Sequence, residues 1–376
     1  MNLPLNWDLF CKVIDNLGDV GVCWRLAADL AARGQRVRLW CDDPAPLAWM
    51  APGGAPGVQV FPWRDPLPAE SPGDVVIEAF ACDPPAAFVQ AMAAKAVPPV
   101  WVNLEYLSAE PWVERCHALP SPQSTGPGAG LKKWFFHPGF TPATGGLIRE
   151  PSLDQAQARF DRGHWLRHLG LELRGGERLA VLFCYDNLAL PELLRLLGDQ
   201  PTLLALTPGP AQAQVHRLAL PAGVRTHDLP WLSQPEFDRL LWSADLNLVR
   251  GEDSLVRAVW AGRPFLWQLY PQEDGAHLVK SAAFLDHWLG GGLPAEQEPW
   301  KTGLRQLWDR WNQAGLSAPG QVTAGATLVL PDATAWAAAV QALRRGLLAQ
   351  DDLTTQLMRF VVARGPASPA AAAVNS

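Results

Sequence analysis

Short apolar segments alternate with longer amphipathic segments along the first half of the chain. The segments LFCKVI, RVRLWC, GDVVIEAF and PPVWVNLEYL are typical of buried strands, and VGVCWRLAADLAARG is typical of a helix that ends at Gly34. Strands separated by helical segments predict a parallel sheet with crossover helices. Residues 119–146 are rich in Gly, Pro and Ser without a clear period, which predicts a long loop.

A second alternating series begins near residue 178. We interpret RLAVLFCYDN, PTLLALTPG, GVRTHDLP, ADLNLVRGEDS and RPFLWQLYP as strands, and QPEFDRLLWSA and LVRAVWAG as helices. The two series together predict an α/β protein with two doubly wound, Rossmann-like domains that face each other across a cleft.

The domain boundaries follow from these two series. We predict an N-terminal domain over residues 1–176, completed by a C-terminal helix over 350–364, and a second domain over 177–349. Residues 365–376, rich in alanine and proline, predict a disordered tail.

Composition limits the function classes. A length of 376 residues favours two domains, and a net charge of −6 argues against a general nucleic-acid binder. The N-terminal segment lacks the pattern of a signal peptide, and no apolar run is long enough to span a membrane. The six cysteines form no C-x-x-C pair, which favours free thiols in the cytoplasm. We expect a monomer with no nucleic-acid or membrane partner.

The turn after the first strand carries two acids, Asp15 and Asp19. A dinucleotide-binding turn would have the pattern G-x-G-x-x-G, but this turn has only Gly18 and Gly21, and its carboxylates would repel a pyrophosphate. A dehydrogenase is therefore not favoured. Asp19 is also a suitable N-cap for a helix that begins at Val20, and capping is compatible with a chemical role.

A second cluster of polar residues lies where the strand LNLV ends and a helix begins. Backbone amides and the Ser254 hydroxyl at a helix N-terminus form an anion site, and Arg250 adds a charged fork suited to phosphate oxygens. Glu252 or Asp253 would accept hydrogen bonds from ribose hydroxyls. The alternative is a polar turn, GEDS, that only caps the helix.

Other strand ends in this domain add polar and aromatic side chains. A polar turn after the next strand suggests one ligand that spans both strand ends, and a flat aromatic with an amide suits a nucleobase. With eighteen tryptophans in the chain, the alternative for Trp231 is a place in the core. The residues concerned are Phe183, Tyr185, Trp231, Gln234, Tyr270, Gln272 and Asp274.

No metal site is predicted. The eight histidines form no cluster with ligand spacing, and no D-x-D pattern is present. His164 and His168 lie four residues apart in the segment that connects the two series, where a surface helix is the simpler interpretation.

Three strings carry a resemblance to a known family. DNLGDVGVCWRLA, FCYDN and VRGEDSLVRAVWAGRPFLWQLYPQEDGAH resemble the bacterial protein-arginine rhamnosyltransferases that modify elongation factor P, the EarP family of GT-B glycosyltransferases. The resemblance covers essentially the whole chain. It implies dTDP-β-L-rhamnose as donor substrate, no cofactor, inversion at the anomeric carbon, and an arginine of elongation factor P as acceptor. The modification would activate this factor for ribosomes stalled at polyproline.

The resemblance also implies roles for individual residues. Asp19 would be the general base, Glu252 a second essential acid near the donor, and Asp15 a third catalytic acid on the sugar and acceptor side. Without a metal, Arg250 and the helix terminus would neutralise the leaving diphosphate. Together with the candidates above, the residues expected at the donor are Asn16, Leu17, Gly18, Asp19, Phe183, Tyr185, Trp231, Leu232, Ser233, Gln234, Arg250, Gly251, Glu252, Asp253, Ser254, Tyr270, Gln272 and Asp274.

An arginine acceptor explains the two acids of the first turn. A guanidinium has a pKa above about 12 and is a poor nucleophile while it is charged and delocalised. Two carboxylates can attract it, fix its plane and accept a proton as the new bond forms. Two alternatives remain: a glycosyltransferase that acts on a small molecule, and a non-catalytic nucleotide-binding protein.

Overall fold

The computed structural model describes residues 4–14, 17–63, 71–290, 298–313 and 329–365. The chain divides into two compact units, Met1–Pro151 with Gln350–Ser376, and Ser152–Ala349. Residues 152–176, which the sequence boundary placed in the first domain, group with the second unit. One reason is that the Arg162 Nε donates to the Ser243 carbonyl at 2.6 Å and its Nη2 contacts Asp245 at 3.1 Å.

Unit 1 contains a seven-stranded sheet in the order β3-β2-β1-β4-β5-β7-β6. All neighbouring strands are parallel except β6 and β7. The strands and the first four helices are β1 (Asn6–Cys11), α1 (Gly18–Ala32), β2 (Arg36–Cys41), α2 (Leu47–Met50), β3 (Val58–Pro62), β4 (Val75–Ala79), α3 (Ala86–Ala94), β5 (Val100–Leu104), α4 (Trp112–Cys116), β6 (Pro120–Pro122) and β7 (Lys132–Phe136).

Two sequence predictions for unit 1 were wrong. The segment 119–146 is not one long loop, because β6 and β7 pair within it and extend the sheet beyond β5. The strand predicted over LFCKVI ends at Cys11, so that the side chain of Ile14 is exposed. β3 was not predicted, since it forms one edge of the sheet and is only partly buried.

Unit 2 contains a five-stranded parallel sheet in the order β10-β9-β8-β11-β12. Helices before, between and after the strands complete the unit. Its elements are α5 (Leu153–Ala158), α6 (Arg162–His168), β8 (Arg178–Leu182), α7 (Leu190–Leu197), β9 (Thr202–Leu206), α8 (Pro210–Val215), β10 (Val224–Asp228), α9 (Gln234–Ser243), β11 (Leu246–Arg250), α10 (Glu252–Ala261), β12 (Phe265–Gln268), α11 (Ala276–Leu289), α12 (Glu298–Gln313) and α13 (Ala333–Leu348).

The last described helix, α14 (Leu353–Arg364), groups with unit 1. Its residues Leu357 and Phe360 belong to the same buried cluster as Leu26 and Leu30 of α1. Arg33, just after α1, contacts Asp352 at 2.7 Å and fixes the start of α14. The rest of the predicted tail, residues 366–376, lies outside the described residues.

The strand order reverses at the same place in both sheets. β1 and β4 are neighbours in unit 1, and β8 and β11 are neighbours in unit 2, with the chain continuing to opposite sides. In open parallel sheets, ligands bind beyond the carboxyl ends of the strands at such a point. None of the described helices is long and apolar enough to cross a membrane.

Candidate active site

The side chain of Arg250 lies against two aromatic rings at the carboxyl ends of β8 and β11. Its guanidinium carbon is 4.6 Å from the ring centroid of Phe183 and 4.3 Å from that of Tyr185. The ring of Tyr185 meets Tyr270, which follows β12, edge to face at 5.3 Å. Cation–π contact holds the guanidinium in place against these rings. The structure thus brings four of the expected donor residues together.

A buried glutamine that was not expected at the site organises these strand ends. Gln268 is 1% exposed, its Oε1 accepts a hydrogen bond from the Tyr185 backbone N–H at 2.8 Å, and its carbonyl accepts one from the Gly251 N–H at 3.2 Å. Gly251 has φ +74°, a conformation that favours glycine, and its carbonyl accepts from the Trp267 indole at 2.9 Å. These contacts fix the turn from β11 into α10.

The first turn of α10 is the helix N-terminus that the sequence predicted as an anion site, and it also contains two acidic residues. The N-cap is Gly251, which has no side chain, so Glu252, Asp253 and Ser254 belong to the helix and do not cap it from outside. The backbone N–H groups of this turn carry the partial positive charge of a helix N-terminus. The Nζ of Lys280 in α11 forms an ion pair with the Glu252 Oε1.

The segment Trp231–Gln234 lies beyond the end of β10, at the start of α9. Ser233 is the N-cap, and its N–H and Oγ contact the Glu236 Oε2 at 2.8 and 2.7 Å. Trp231 is 54% exposed, so the alternative of a place in the core is wrong. Leu232 is half-buried and Gln234 is buried.

The helix α9, which follows this segment, contacts one of the two rings that lie against Arg250. Its Phe237 meets Phe183 edge to face at 5.4 Å. The segment is thereby connected to the rings that hold Arg250.

Gln272 and Asp274 lie in the loop between β12 and α11, where they make local contacts. The Gln272 N–H donates to the Nδ1 of His277 at 3.1 Å, and the Asp274 Oδ1 accepts from the Ala276 N–H at 3.0 Å. This contact uses Nδ1 as an acceptor, and burial lowers the pKa of His277 in the same sense. Both residues follow β12, as Tyr270 does, and these contacts are local to the loop.

Asp19 lies in the first turn of α1 in unit 1. The helix begins at Gly18 with Leu17 at the N-cap, so the interpretation of Asp19 as the cap of a helix starting at Val20 is wrong. Asp19 is 3% exposed, and its Oδ2 accepts a hydrogen bond from the Ile14 N–H at 2.9 Å. Asp15 and Asn16 lie outside the described residues.

Tyr106 is a contact of Asp19 that the sequence did not indicate. Its hydroxyl lies 3.5 Å from the Asp19 Oδ1, and its ring stacks on Phe80 with centroids 4.3 Å apart and an angle of 13°. Phe80 follows β4 and Tyr106 follows β5, so both reach the carboxyl edge of the sheet. This edge also carries Asp19, just after β1.

The turn after β4 has a strained backbone. Phe80, Ala81 and Asp83 have φ of 57°, 54° and 48°, a region that residues other than glycine rarely adopt. The buried amide of Asn103 holds this turn, since its Oδ1 accepts from the Ala81 N–H at 3.1 Å and its Nδ2 donates to Glu105 at 2.6 Å. Burial raises the pKa of Glu105.

Burial disfavours the thiolate form of the cysteines in the core of unit 1. All six cysteines are free, and Cys11, Cys23 and Cys82 are buried. Burial raises the pKa of Cys82 to about 12 and also raises that of Cys23. Since the thiolate is the nucleophile and metal ligand, these residues suit packing and not covalent chemistry. Among the residues that the structure describes, no three His, Cys, Asp or Glu side chains are grouped to hold a metal ion.

Comparison with known proteins identifies the family. The family model described as elongation factor P (EF-P) rhamnosyltransferase EarP matches residues 7–362. A protein-arginine rhamnosyltransferase of Pseudomonas aeruginosa is 46% identical over 82% of this chain and 88% of its own. One of Shewanella oneidensis is 36% identical over 95% of this chain and 97% of its own.

A solved structure agrees with these relatives. It was described as the structural basis for EarP-mediated arginine glycosylation of translation elongation factor EF-P. It is 30% identical to this chain, covers 96% of it and 99% of its own length, and superposes with a TM-score of 0.61. The predicted fold class, α/β of the GT-B type, is confirmed. The chain belongs to the EarP family of elongation factor P rhamnosyltransferases and is a protein-arginine rhamnosyltransferase.

Proposed function

We propose that the enzyme transfers L-rhamnose from dTDP-β-L-rhamnose to an arginine side chain of elongation factor P, with inversion and without a metal. The observation that carries the donor half is the guanidinium of Arg250, held against Phe183 and Tyr185 beside the N-terminus of α10. The name of the family model and the description of the solved relative support the acceptor half.

The donor would use the strand ends of unit 2. Arg250 and the first N–H groups of α10 suit the diphosphate, because both offer donors to anionic oxygens. The rings of Tyr185, Tyr270 and Phe183 suit the thymine and deoxyribose. The Ser254 hydroxyl adds a further donor, and Glu252 lies in the same first turn of α10.

The acceptor would use the carboxyl edge of the sheet in unit 1. A nitrogen of the guanidinium attacks the anomeric carbon as the bond from that carbon to the diphosphate oxygen breaks, and the electron pair of that bond leaves with dTDP. Asp19 takes the proton that the nitrogen loses. The Ile14 N–H holds one oxygen of this carboxylate, and Tyr106 lies beside the other. Asp15 would orient the guanidinium.

Mass spectrometry of elongation factor P tests this proposal. Incubation with the enzyme and dTDP-β-L-rhamnose should add the mass of one deoxyhexose to a single arginine-containing peptide. A factor in which that arginine is replaced by lysine is the matched control and should stay unmodified. An unmodified factor would contradict the acceptor, and a rhamnosylated small molecule or dTDP binding without turnover would identify the alternative.

A further inference from the structure

The ion pair between Lys280 and Glu252 joins α11 to the first turn of α10. The side chain of Lys280 is 21% exposed and that of Glu252 is 20% exposed, so both reach the surface beside the helix N-terminus. Two of the candidate donor residues, Arg250 and Gly251, directly precede Glu252 in the chain and lie next to this ion pair.

The N-terminal end of α10 combines two cations with the positive end of a helix dipole. The N-terminus of a helix carries about half a positive charge, so anions are favoured there. Arg250 ends β11 next to this turn, and Lys280 reaches the turn through its ion pair with Glu252. A ligand with more than one negative charge would use both cations and share Lys280 with Glu252.

A structural role alone explains the pair less well. α10 is already fixed to α9 by the buried contact of Arg257 with Asp238, whose Nη2 and Oδ2 are 2.8 Å apart. An ion pair that is partly exposed contributes at most about 1 kcal/mol to stability. Lys280 is therefore not needed to hold the helix.

We propose that Lys280 is a second cation for the diphosphate of the nucleotide-sugar donor, acting together with Arg250. This inference rests on the proposed donor and names a residue for its binding. As the bond from the anomeric carbon to the diphosphate breaks, the leaving diphosphate gains one negative charge. The positive charge of Lys280 lowers the energy of this charge, which is the task that a metal ion has in other transferases.

Binding of dTDP and of thymidine to a lysine variant tests the proposal by calorimetry. Lys280→Met should lower the affinity for dTDP about tenfold, because a charge-assisted contact with phosphate is lost. The affinity for thymidine, which has no phosphate, should stay within about twofold. Lys280→Arg should restore most of the dTDP affinity, since it keeps the positive charge.

Two controls separate this role from a structural one. Arg263→Gln removes an exposed cation beyond the opposite end of α10 and should leave the dTDP affinity unchanged. Glu252→Gln breaks the same ion pair but should not lower the ratio of dTDP to thymidine affinity.

Three results would overturn the inference. The first is an unchanged dTDP affinity in Lys280→Met, and the second is a loss of thymidine affinity in that variant as large as its loss of dTDP affinity. The third is a fall in the ratio of dTDP to thymidine affinity in Glu252→Gln as large as that in Lys280→Met. If the unaltered enzyme rhamnosylates the factor while Lys280→Met binds dTDP normally, only this inference fails. Absence of dTDP binding by the unaltered enzyme would contradict the proposed donor as well.

Discussion

The side chain of Arg250 shows how a single residue is prepared for its ligand. Two ring faces hold the guanidinium at 4.6 and 4.3 Å from their centroids. This contact reduces the rotamer freedom that a surface arginine would lose on binding. We therefore expect Arg250 to contribute more to donor affinity than an exposed arginine would.

Arg250→Ala should weaken dTDP binding about ten- to a hundredfold. A hydrogen bond with a charged partner contributes about 1.5–3 kcal/mol, and the alanine has neither charge nor donors. Calorimetric titration with dTDP measures the effect, and the thermal unfolding of the variant shows that the fold is intact. A folded variant with unchanged affinity would place Arg250 outside the donor site.

The sequence predicted most residues of the candidate donor site, but it did not predict the residues that contact them. Arg250 and Tyr270 were predicted because each stands where an apolar segment ends, which is a local pattern. Lys280 and Gln268 were missed because their contacts depend on which helices and strands become neighbours in the fold. Tyr106 was missed for the same reason, since it reaches Asp19 across 87 positions of the chain.

Among the elements of unit 1, the edge strands β3 and β6 were harder to predict than the central ones, whereas the edge strands β10 and β12 of unit 2 were predicted. β1, β4, β8 and β11 are largely buried and consist mainly of apolar residues. β6 consists of Pro120, Ser121 and Pro122, and proline weakens strand propensity and is tolerated only at an edge. The strained turn after β4 was also unpredictable, because positive φ at Phe80 and Ala81 depends on the buried amide of Asn103.

The junction between α4 and the β6–β7 hairpin contains a histidine that should make unit 1 sensitive to acid. Burial, with nearby His137 and Arg364, lowers the pKa of His117 to about 4 from 6.5. Its Nδ1 accepts a hydrogen bond from the His137 N–H at 3.1 Å, which requires the neutral ring. In the unfolded chain His117 takes up a proton at higher pH than in the folded protein.

The free energy of unfolding should therefore fall as the pH is lowered from 6.5 toward 4. The contribution of His117 is up to roughly 3 kcal/mol, because 1 pKa unit corresponds to about 1.4 kcal/mol. His117→Asn keeps an acceptor for the His137 N–H but does not titrate, so this variant should show a flatter dependence. Urea unfolding at several pH values measures it, and equal slopes for the two proteins would refute this role of His117.

At the scale of the whole molecule, the two units carry opposite charges near the reversal point of similar sheets. Unit 1 has a buried carboxylate, Asp19, after β1, and unit 2 has a cation, Arg250, at the end of β11. In both sheets the strand order reverses beside the first strand, between β1 and β4 in unit 1 and between β8 and β11 in unit 2. We expect proton acceptance to depend on unit 1 and donor binding to depend on unit 2.

Turnover should survive chelation of metal ions. Arg250, Lys280 and the N-terminus of α10 would neutralise the leaving diphosphate, and the described residues contain no group of three potential ligands for a metal. The rate of rhamnosylation should be the same with EDTA and with added magnesium. A loss of turnover in EDTA that magnesium restores would contradict the metal-free mechanism.

Asp15 and Asp19 are expected to act on the same acceptor. Single-turnover rates of Asp15→Asn, Asp19→Asn and the double variant measure this coupling. The double variant should be little slower than the slower single variant, because both acids serve one guanidinium. Additive losses would mean that the two carboxylates act on separate groups.

The central claim, that Asp19 accepts the proton while unit 2 holds the donor, is tested most directly by Asp19→Asn in a single-turnover rhamnosylation with dTDP binding measured in parallel. The amide keeps the shape of the side chain and an acceptor for the Ile14 N–H, but it does not take up the proton. We predict dTDP affinity close to that of the unaltered enzyme and a rate at least about 10²–10⁴-fold lower. A rate near that of the unaltered enzyme would contradict the account, and Glu252 would then be the next candidate for the base.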